Sequence, residues 1–280
     1  MKQIVNIIKI VSASILLSGT WSSAHAAFEM YLVDSDLYNE SATDSVTGDN
    51  ITAQLSGWAN TSGYATGNGG GSSANDEFVS YNLSSYSSGI VINRNESSPE
   101  HAIDNYGPEE FVLFVFNQPV VLTDLWIGWP DNTYDTDMTV LAYTGTDSYN
   151  STYMPNLNSD PTDTTGTTRG LTNAGWDLVG DPNYSGHLSN VDSDKYVSIK
   201  NTGNVASTHW LVGAYNKYLS GAVSGITNDD DYAKLKKIRG FVNETPGCQP
   251  GDPCNGTVPS PATAALLGLG LLLLRKRKLI

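Results

Sequence analysis

The chain has 280 residues, of which 39% are hydrophobic and 16% charged, enough for one sizeable hydrophobic core. Lys and Arg number 15 against 29 Asp and Glu. Six basic residues lie near the two ends, so the part between them carries nine basic and 29 acidic residues, a net charge of −20. Such a charge repels phosphate backbones and argues against nucleic acid as a partner.

The first 26 residues have the pattern of a cleavable signal peptide. Lys2 and Lys9 precede an apolar stretch from Ile10 to Leu17, and Ala24 and Ala26 place small residues where signal peptidase requires them. We expect a signal helix here, with cleavage after Ala26. The alternative is a retained N-terminal anchor, but the apolar run is shorter than the roughly 20 residues of a spanning helix.

Residues 27–245 are predicted to form one all-β domain. The chain has 27 Gly and 15 Tyr, and short apolar runs alternate with Ser, Thr, Asn and Asp. Ten strands exceed the common size of one sheet, so we expect a two-sheet β-sandwich of the jelly-roll kind. The predicted strands are Phe28 to Val33, Ile51 to Trp58, Glu77 to Tyr81, Gly89 to Ile92, Phe111 to Phe116, Val120 to Trp129, Met138 to Tyr143, Tyr196 to Ile199, His209 to Ala214 and Lys237 to Val242.

Two features of this pattern bear on packing. Phe111 to Phe116 is apolar on both faces, which predicts a central strand covered on each side. The stretches 63–75 and 144–173 are rich in turn residues and have no core pattern, so both are predicted to be long loops.

Acidic residues between two predicted strands form a candidate calcium site. Asp131, Asp135 and Asp137 place three carboxylates within seven residues, and calcium prefers such hard oxygen ligands. The segment lacks the glycine and distal glutamate of a helix-loop-helix calcium loop, and acidic strand connections are common without a metal. The run from Asp229 to Asp231 is interpreted as a solvated charge run.

Other titratable residues give no catalytic pattern. Glu109 and Glu110 are adjacent at a strand start and are expected to point to opposite faces, whereas a glycoside hydrolase needs two carboxyl groups facing one cleft. No serine lies in a Gly-x-Ser-x-Gly elbow. His101 with Asp104 is interpreted as a turn rather than a metal site. We therefore expect no catalytic residues.

Tryptophan supplies a candidate sugar-binding residue. In a regular strand Trp126 lies on the opposite face from Leu125, Ile127 and Trp129, so one of these faces is a candidate exposed platform. An exposed tryptophan beside polar groups suits stacking on sugar rings. Packing of the tryptophans between two sheets is the competing interpretation.

Residues 246–257 are predicted to be a Pro/Gly/Cys linker. Cys248 and Cys254 are the chain's two cysteines, and in an oxidising compartment a small disulfide loop is the expected outcome. A zinc site would require further ligands, and this segment has no His. So short a loop is expected to stiffen the linker rather than stabilise the domain.

Residues 258–280 form a three-part tail. Its short proline motif precedes an apolar run from Ala262 to Leu274, which would span about 20 Å as a helix, short of the roughly 30 Å of a hydrocarbon core. The basic cluster at the end is expected to stay cytoplasmic. The motif is Val258, Pro259, Ser260 and Pro261, and the cluster is Arg275, Lys276, Arg277 and Lys278.

This tail resembles that of exosortase-dependent proteins with a PEP-CTERM-type sorting signal. The chain departs from their pattern at Ser260, where the family usually has Glu. The likeness extends to segments of the domain, which are His101 to Asn105, Ile127 to Trp129, Asp135 to Asp137, Val140 to Gly145 and Trp210 to Tyr215. The resemblance implies signal peptidase and an exosortase-type enzyme as partners, and no assigned catalytic residues.

Together these features predict a non-enzymatic exported protein of a Gram-negative-type bacterium. It would be held at the inner membrane in transit and then delivered to the cell surface or extracellular matrix, with biofilm or exopolysaccharide association as its role. A calcium-assisted carbohydrate-binding module is the first alternative. A secreted glycoside hydrolase is the second. A retained C-terminal anchor remains an alternative to tail cleavage.

Overall fold

A computed structural model of the chain describes residues 27–33, 37–60, 77–94, 101–129, 135–146, 154, 157–158, 169–191, 195–220, 223–227 and 231–243. These residues are mostly β, which confirms the predicted class, with short 3-10 turns at Thr172–Ala174 and Pro182–Tyr184. The predicted signal helix, cysteine loop and C-terminal tail lie outside the described residues. Within the described ranges, no helix has the length and apolar character needed to cross a membrane.

All ten predicted strands are found, two of them joined into one long strand. The described strands are β1 (Phe28–Tyr31), β2 (Asn39–Thr43), β3 (Asn50–Asn60), β4 (Phe78–Tyr86), β5 (Gly89–Asn93), β6 (Ile103–Asp104), β7 (Glu110–Trp129), β8 (Met138–Tyr143), β9 (Leu157–Asn158), β10 (Arg169–Gly170), β11 (Trp176–Leu178), β12 (His187–Leu188), β13 (Lys195–Ser198), β14 (Ser207–Ala214) and β15 (Tyr232–Val242).

Thirteen of these strands form one closed sheet. Its main order is β1-β15-β5-β4-β3-β7-β14-β8-β11, and a further pairing of β15 with β7 closes it. Four short strands attach at the sides: β2 to β3, β6 to β15, β12 to β8 and β13 to β7. Strands β9 and β10 form a separate parallel pair.

Strand β7 makes closure possible because its two halves pair with different neighbours. The first half pairs with β3 and β14, and the second half with β15 and β13. Asn117 and Pro119 at the joint are exposed. Pro119 has no backbone N–H to donate, so it is tolerated where pairing changes. The side chain of Asn117 accepts from Thr52 N at 3.0 Å and donates to Asn50 O at 3.0 Å, which ties the joint to β3.

The first half of β7 is covered on both faces, as its apolar pattern predicted. Val112 and Phe114 face the main core, whereas Phe111 and Leu113 belong to a second apolar cluster. This alternation follows from the two-residue period of a strand. The central position of the strand is therefore confirmed.

The prediction of a coreless loop over residues 144–173 is wrong where the structure describes that stretch. Met154, Leu157 and Leu171 are buried in the second cluster, beside Trp176. Isolated apolar residues among turn residues show no periodicity, so their contact on the outer side of the sheet could not be predicted from a local pattern.

Candidate functional site

The structure brings three aspartates together at one end of the sheet. Asp135 and Asp137 lie just before β8, and Asp231 lies just before β15. Each offers a carboxylate oxygen within 4.8 Å of the others. We call these three residues the acidic cluster. Asp137 and Asp231 are fully buried, and Asp135 is half-buried.

Hydrogen bonds from several segments hold the acidic cluster. Asp231 accepts from Asp137 N at 2.8 Å and from Asn105 Nδ2 at 2.6 Å. Asp137 accepts from Asn190 N at 2.6 Å and from Thr227 N at 3.2 Å. Because these partners come from distant parts of the chain, the cluster fastens several loops to the sheet end.

Asp135 completes the hydrogen-bond pattern of the acidic cluster. Its carboxylate accepts from its neighbour's backbone N, that of Thr136, at 2.9 Å, and from the hydroxyl of Thr227. Each carboxylate oxygen of the cluster thus accepts at least one hydrogen bond from the surrounding protein. The cluster is therefore firmly cross-linked to the loops around it.

Burial and mutual repulsion raise the pKa values of the two buried carboxyl groups, Asp137 and Asp231. Burial is the largest cause for Asp231, and the charge of Asp137 adds to it, so its pKa rises to about 9. Burial also raises the pKa of Asp137 to about 6, with Asp135 contributing. A divalent cation would relieve the repulsion, since its charge favours the ionised form of each carboxyl group.

The cluster differs in part from the predicted calcium site. Asp135 and Asp137 do lie together, but Asp131 falls outside the described residues. The interpretation of Asp231 as part of a solvated run is wrong, because Asp231 is 0% exposed. Asp229 and Asp230 are not described. The partners Asp137 and Asp231 are 94 residues apart in sequence, so local spacing could not reveal their contact.

A second candidate site is a row of side chains across four strands on the outward face. Tyr31 of β1 pairs with Lys237 of β15, Lys237 with Trp126 of β7, and Trp126 with Tyr196 of β13. We call these four residues the aromatic row. Directly paired residues point to the same face of a sheet, so the four side chains lie side by side.

Contacts within the aromatic row are close. Lys237 Nζ lies 4.2 Å from the ring centroid of Tyr31 and 4.5 Å from that of Trp126. The rings of Trp126 and Tyr196 meet edge to face with centroids 4.7 Å apart. Tyr31 is 46% exposed, and Trp126 and Tyr196 are half-buried. The row is therefore a pre-ordered polar and aromatic surface rather than core.

The position of Trp126 agrees with its predicted face, but that of Trp129 does not. Leu125 and Ile127 are buried in the main core, whereas Trp126 is half-buried. Trp129 is also half-buried and lies under Lys234, with Nζ 4.9 Å from its ring centroid. The pairing between β7 and β15 shifts here, which leaves Gly128 as an extra residue and reverses the alternation beyond it.

Glu29 and Arg239 form the neighbouring row. Glu29 Oε1 accepts from Lys237 Nζ at 3.0 Å, and Glu29 Oε2 accepts from Arg239 Nη2 at 2.7 Å. The Arg239 guanidinium lies 3.3 Å from the ring centroid of Tyr196. Burial opposes ionisation of Glu29, but hydrogen bonds from Tyr196 and these two cations, together with Tyr31, hold its pKa at about 2.

The carboxylates considered for glycoside hydrolysis have a different environment. Glu110 and Asp104 are buried and both face Arg94, whose Nη2 lies 3.6 Å from Asp104 Oδ1. Glu109 is buried as well. Arg94 provides a charge partner for Glu110 and Asp104 in the interior, which is a structural use of these carboxylates.

The histidines are also accounted for by packing. His101 has a left-handed backbone, with φ of 61°, and stacks on Tyr86 with centroids 5.3 Å apart. Asp104 Oδ1 accepts from Tyr106 N at 2.9 Å, which closes a turn that begins at Asp104, after the predicted one from His101 to Asp104. His187 is buried between the hydroxyls of Thr139 and Ser220, each 2.8 Å from a ring nitrogen. Burial lowers the pKa of His187 to about 4.

Comparisons with known proteins add no relative. No protein-family model, no curated protein and no solved structure matches the chain.

Proposed function

We propose that this chain is an exported, non-enzymatic surface protein whose β-domain binds polysaccharide in the envelope or extracellular matrix. The aromatic row, an ordered set of rings and a cation on the outward sheet face with Tyr31 exposed, is the observation that supports polysaccharide binding. The signal-peptide pattern and the PEP-CTERM-type tail support delivery through signal peptidase and an exosortase-type enzyme, with passage through the inner membrane.

The architecture we propose is a β-sandwich of the jelly-roll kind. Its support is the long strand β7, which passes from one group of strands to another at Pro119. Such a crossing is the way in which strands turn the corner between two packed sheets. Sandwich domains of this kind present flat outer faces, and the aromatic row lies on one.

The geometry of the aromatic row suits sugar better than an apolar ligand. Tyr31 offers a ring with a hydroxyl, and Lys237 donates hydrogen bonds from beside it. Sugar rings have apolar C–H faces and polar edges, so they pair with an aromatic ring flanked by donors. Cross-strand pairing fixes these groups before a ligand arrives, which lowers the entropic cost of binding.

The test is binding of the full chain, purified in mild detergent, to a polysaccharide panel that includes the host's own matrix. Saturable binding is expected, and Tyr31→Ala with Trp126→Ala should weaken it about tenfold or more, the cost of losing one or two ring contacts. Tyr106→Ala is the control, because Tyr106 is 54% exposed and lies outside the row. Equal binding by all variants would reject the row as the site.

Delivery is tested separately in the host. With an active exosortase-type enzyme, the chain should reach the surface fraction and lose the mass of the segment after Pro261. Replacement of Pro259 and Pro261 by Ala should leave the uncut form in the inner membrane. Unchanged surface delivery and unchanged mass in that variant would contradict the sorting part of the proposal.

A calcium site at the acidic cluster is the second part of the proposal. Its support is the set of three carboxylates within reach of one ion, two of them buried with raised pKa values. Calcium takes six to eight oxygen ligands, so backbone carbonyls or water would complete its shell. Binding would displace the proton that Asp231 holds at neutral pH.

Calorimetry of calcium binding in two buffers of different ionisation enthalpy tests this part. About one proton should be released per ion at pH 7, and Asp231→Asn should abolish both the binding and the release. Asp49→Asn removes an exposed carboxylate elsewhere and should change neither. Absence of calcium binding in the unaltered chain would reject the calcium site. It would leave the proposal of polysaccharide binding at the aromatic row unaffected.

A further inference from the structure

Positive charge is concentrated on one strand of this acidic chain. Of the nine basic residues between the two predicted end segments, four lie between positions 234 and 239 of β15: Lys234, Lys236, Lys237 and Arg239. We call these four residues the basic segment. A chain with a net charge of −20 over this range has no general tendency to bind anions. A local anion site therefore requires such a concentration.

An irregularity in pairing turns the basic segment outward. Leu235 and Ile238 both lie in the main core although they are three residues apart, not two. The register shift between Leu235 and Lys237 leaves Lys236 as the extra residue of a bulge. As a result Lys234 and Lys237 both point away from the core, and Arg239 follows in normal alternation.

Aromatic rings hold these cations in place. Lys234 Nζ lies 4.7 Å from the ring centroid of Tyr86 and 4.9 Å from that of Trp129. Lys237 lies between Tyr31 and Trp126 in the same way. Lys234 and Lys237 are separated by up to about 10 Å along the strand. Two cation-and-ring sets thus repeat along one strand.

Two carboxylates of the described residues lie beside the basic segment. Glu29 pairs with Lys237 and Arg239, and Asp124 is opposite Arg239 across β7 and β15. Against the four cations of the basic segment, these two carboxylates leave a charge of about +2 over the described part of this face. This part has the opposite sign to the net charge of the chain.

We infer that this face binds an acidic polysaccharide, with sugar carboxylates at the cations of the basic segment and sugar rings against Tyr31 and Tyr86. The inference rests on the proposed function and narrows it to one ligand class. A neutral glycan would leave the cations unused. A nucleic acid carries one charge per about 1.7 Å, which the surrounding acidic surface repels.

The experiment measures binding of the full chain, in mild detergent and chelator, to polygalacturonate, to neutral dextran and to double-stranded DNA. Chelator prevents calcium from bridging acidic protein and acidic polymer. We expect saturable binding to polygalacturonate that weakens with salt, because the contacts are ionic. Lys234→Gln with Lys236→Gln should reduce affinity about tenfold or more. Lys200→Gln with Lys217→Gln removes the same charge elsewhere and should change affinity less than about twofold.

The outcomes separate the inference from the proposed function. Equal binding of dextran, or an equal effect of both double variants, would overturn the inference and leave polysaccharide binding in place. If the chain bound DNA and the Lys234→Gln, Lys236→Gln variant lost that binding, the assignment of an acidic polysaccharide as the ligand would be overturned. No binding to any polysaccharide would reject the proposed function as well. A Lys234→Arg, Lys236→Arg variant keeps the charge and should retain affinity, which separates loss of charge from loss of fold.

Discussion

Glu29 is the residue on which the ordered surface around the aromatic row depends most directly. Its carboxylate joins Lys237 and Arg239, and these cations contact Tyr31 and Tyr196. The ion pairs are partly exposed, so each contributes little to stability by itself. Their effect is to hold flexible basic side chains in one arrangement.

Glu29→Gln is expected to lower the free energy of unfolding by up to about 1 kcal/mol at pH 7. The folded pKa of about 2 lies below the ordinary 4.5, so this contribution is present above about pH 4.5 and is lost as pH falls through 2. Urea unfolding at pH 7 and near pH 2 measures it. A difference between the two proteins that stays constant over this range would contradict the ion-pair explanation.

Arg94 presents the opposite situation, a buried cation facing two carboxylates. Burial raises the pKa of Asp104 to about 7 and that of Glu110 well above its ordinary value, against the attraction of Arg94. One positive charge cannot neutralise two negative ones, so the two carboxyl groups share a proton over part of the pH range. Because the pKa of Asp104 is higher in the folded than in the unfolded chain, its protonation stabilises the fold. This contribution is complete below about pH 3.8 and is lost as pH rises through 7.

Arg94→Met should therefore destabilise the domain by about 3–5 kcal/mol at pH 7, because it leaves buried carboxylates without their cation. The loss should shrink towards pH 4, where both carboxyl groups are protonated. Denaturant unfolding across pH 4 to 8 measures the trend. Lys200→Met, at an exposed position, is the control and should stay within about 0.5 kcal/mol.

At the level of elements, the outward surface depends on two of the three register shifts between β7 and β15, those at Gly128 and at Lys236. Gly128 is the extra residue on β7, and a Cβ built there would lie 1.9 Å from Ser88 O. The turn between β4 and β5 thus approaches the backbone of β7 too closely for any side chain. This contact positions Trp129 and Lys234 outside the core.

Gly128→Ala is expected to cost about 1–3 kcal/mol, since the turn must move to admit the methyl group. It should also weaken binding at the Lys234 end of the face. Gly203→Ala is the matched control, because its nearest atom would lie 3.8 Å away. Thermal unfolding of both variants measures the cost. A Gly128→Ala variant as stable as the unaltered chain would show that the turn is not held against β7.

At the level of the whole molecule, the first half of β7 is covered on both faces of the sheet. Leu171 and Trp176 bring the described residues from Arg169 onward onto the second apolar cluster, away from the main core. These buried apolar contacts make that described segment part of the cooperative domain rather than a surface excursion.

Leu171→Ala should lower the free energy of unfolding by about 2–5 kcal/mol, as expected for a fully buried leucine. Val46→Ala removes apolar atoms at a position that is 81% exposed and should have almost no effect. Denaturant unfolding followed by tryptophan fluorescence compares them. A negligible loss for Leu171→Ala would mean that the second cluster contributes little to stability.

The fold class, the positions of the ten main strands and the buried central strand could all be predicted from residue patterns. Strand patterns are local, so alternation and runs such as Phe111 to Phe116 can be recognised without knowing their neighbours. The outward face of Trp126 and the proximity of Asp135 to Asp137 were local as well. Strand β2 was missed because its sequence, Asn39–Thr43, is almost entirely polar, and β12 was missed because two residues show no period.

Contacts between residues distant in sequence follow from the fold and not from a local pattern. Asp231 accepts a hydrogen bond from Asp137, Arg94 pairs with Glu110, and strands β1, β15 and β7 bring Tyr31 near Trp126. Bulges also cannot be predicted from periodicity, since one extra residue reverses the face of the sheet to which every later side chain points. Composition therefore sets the charge of this protein, whereas strand register decides where its few cations gather.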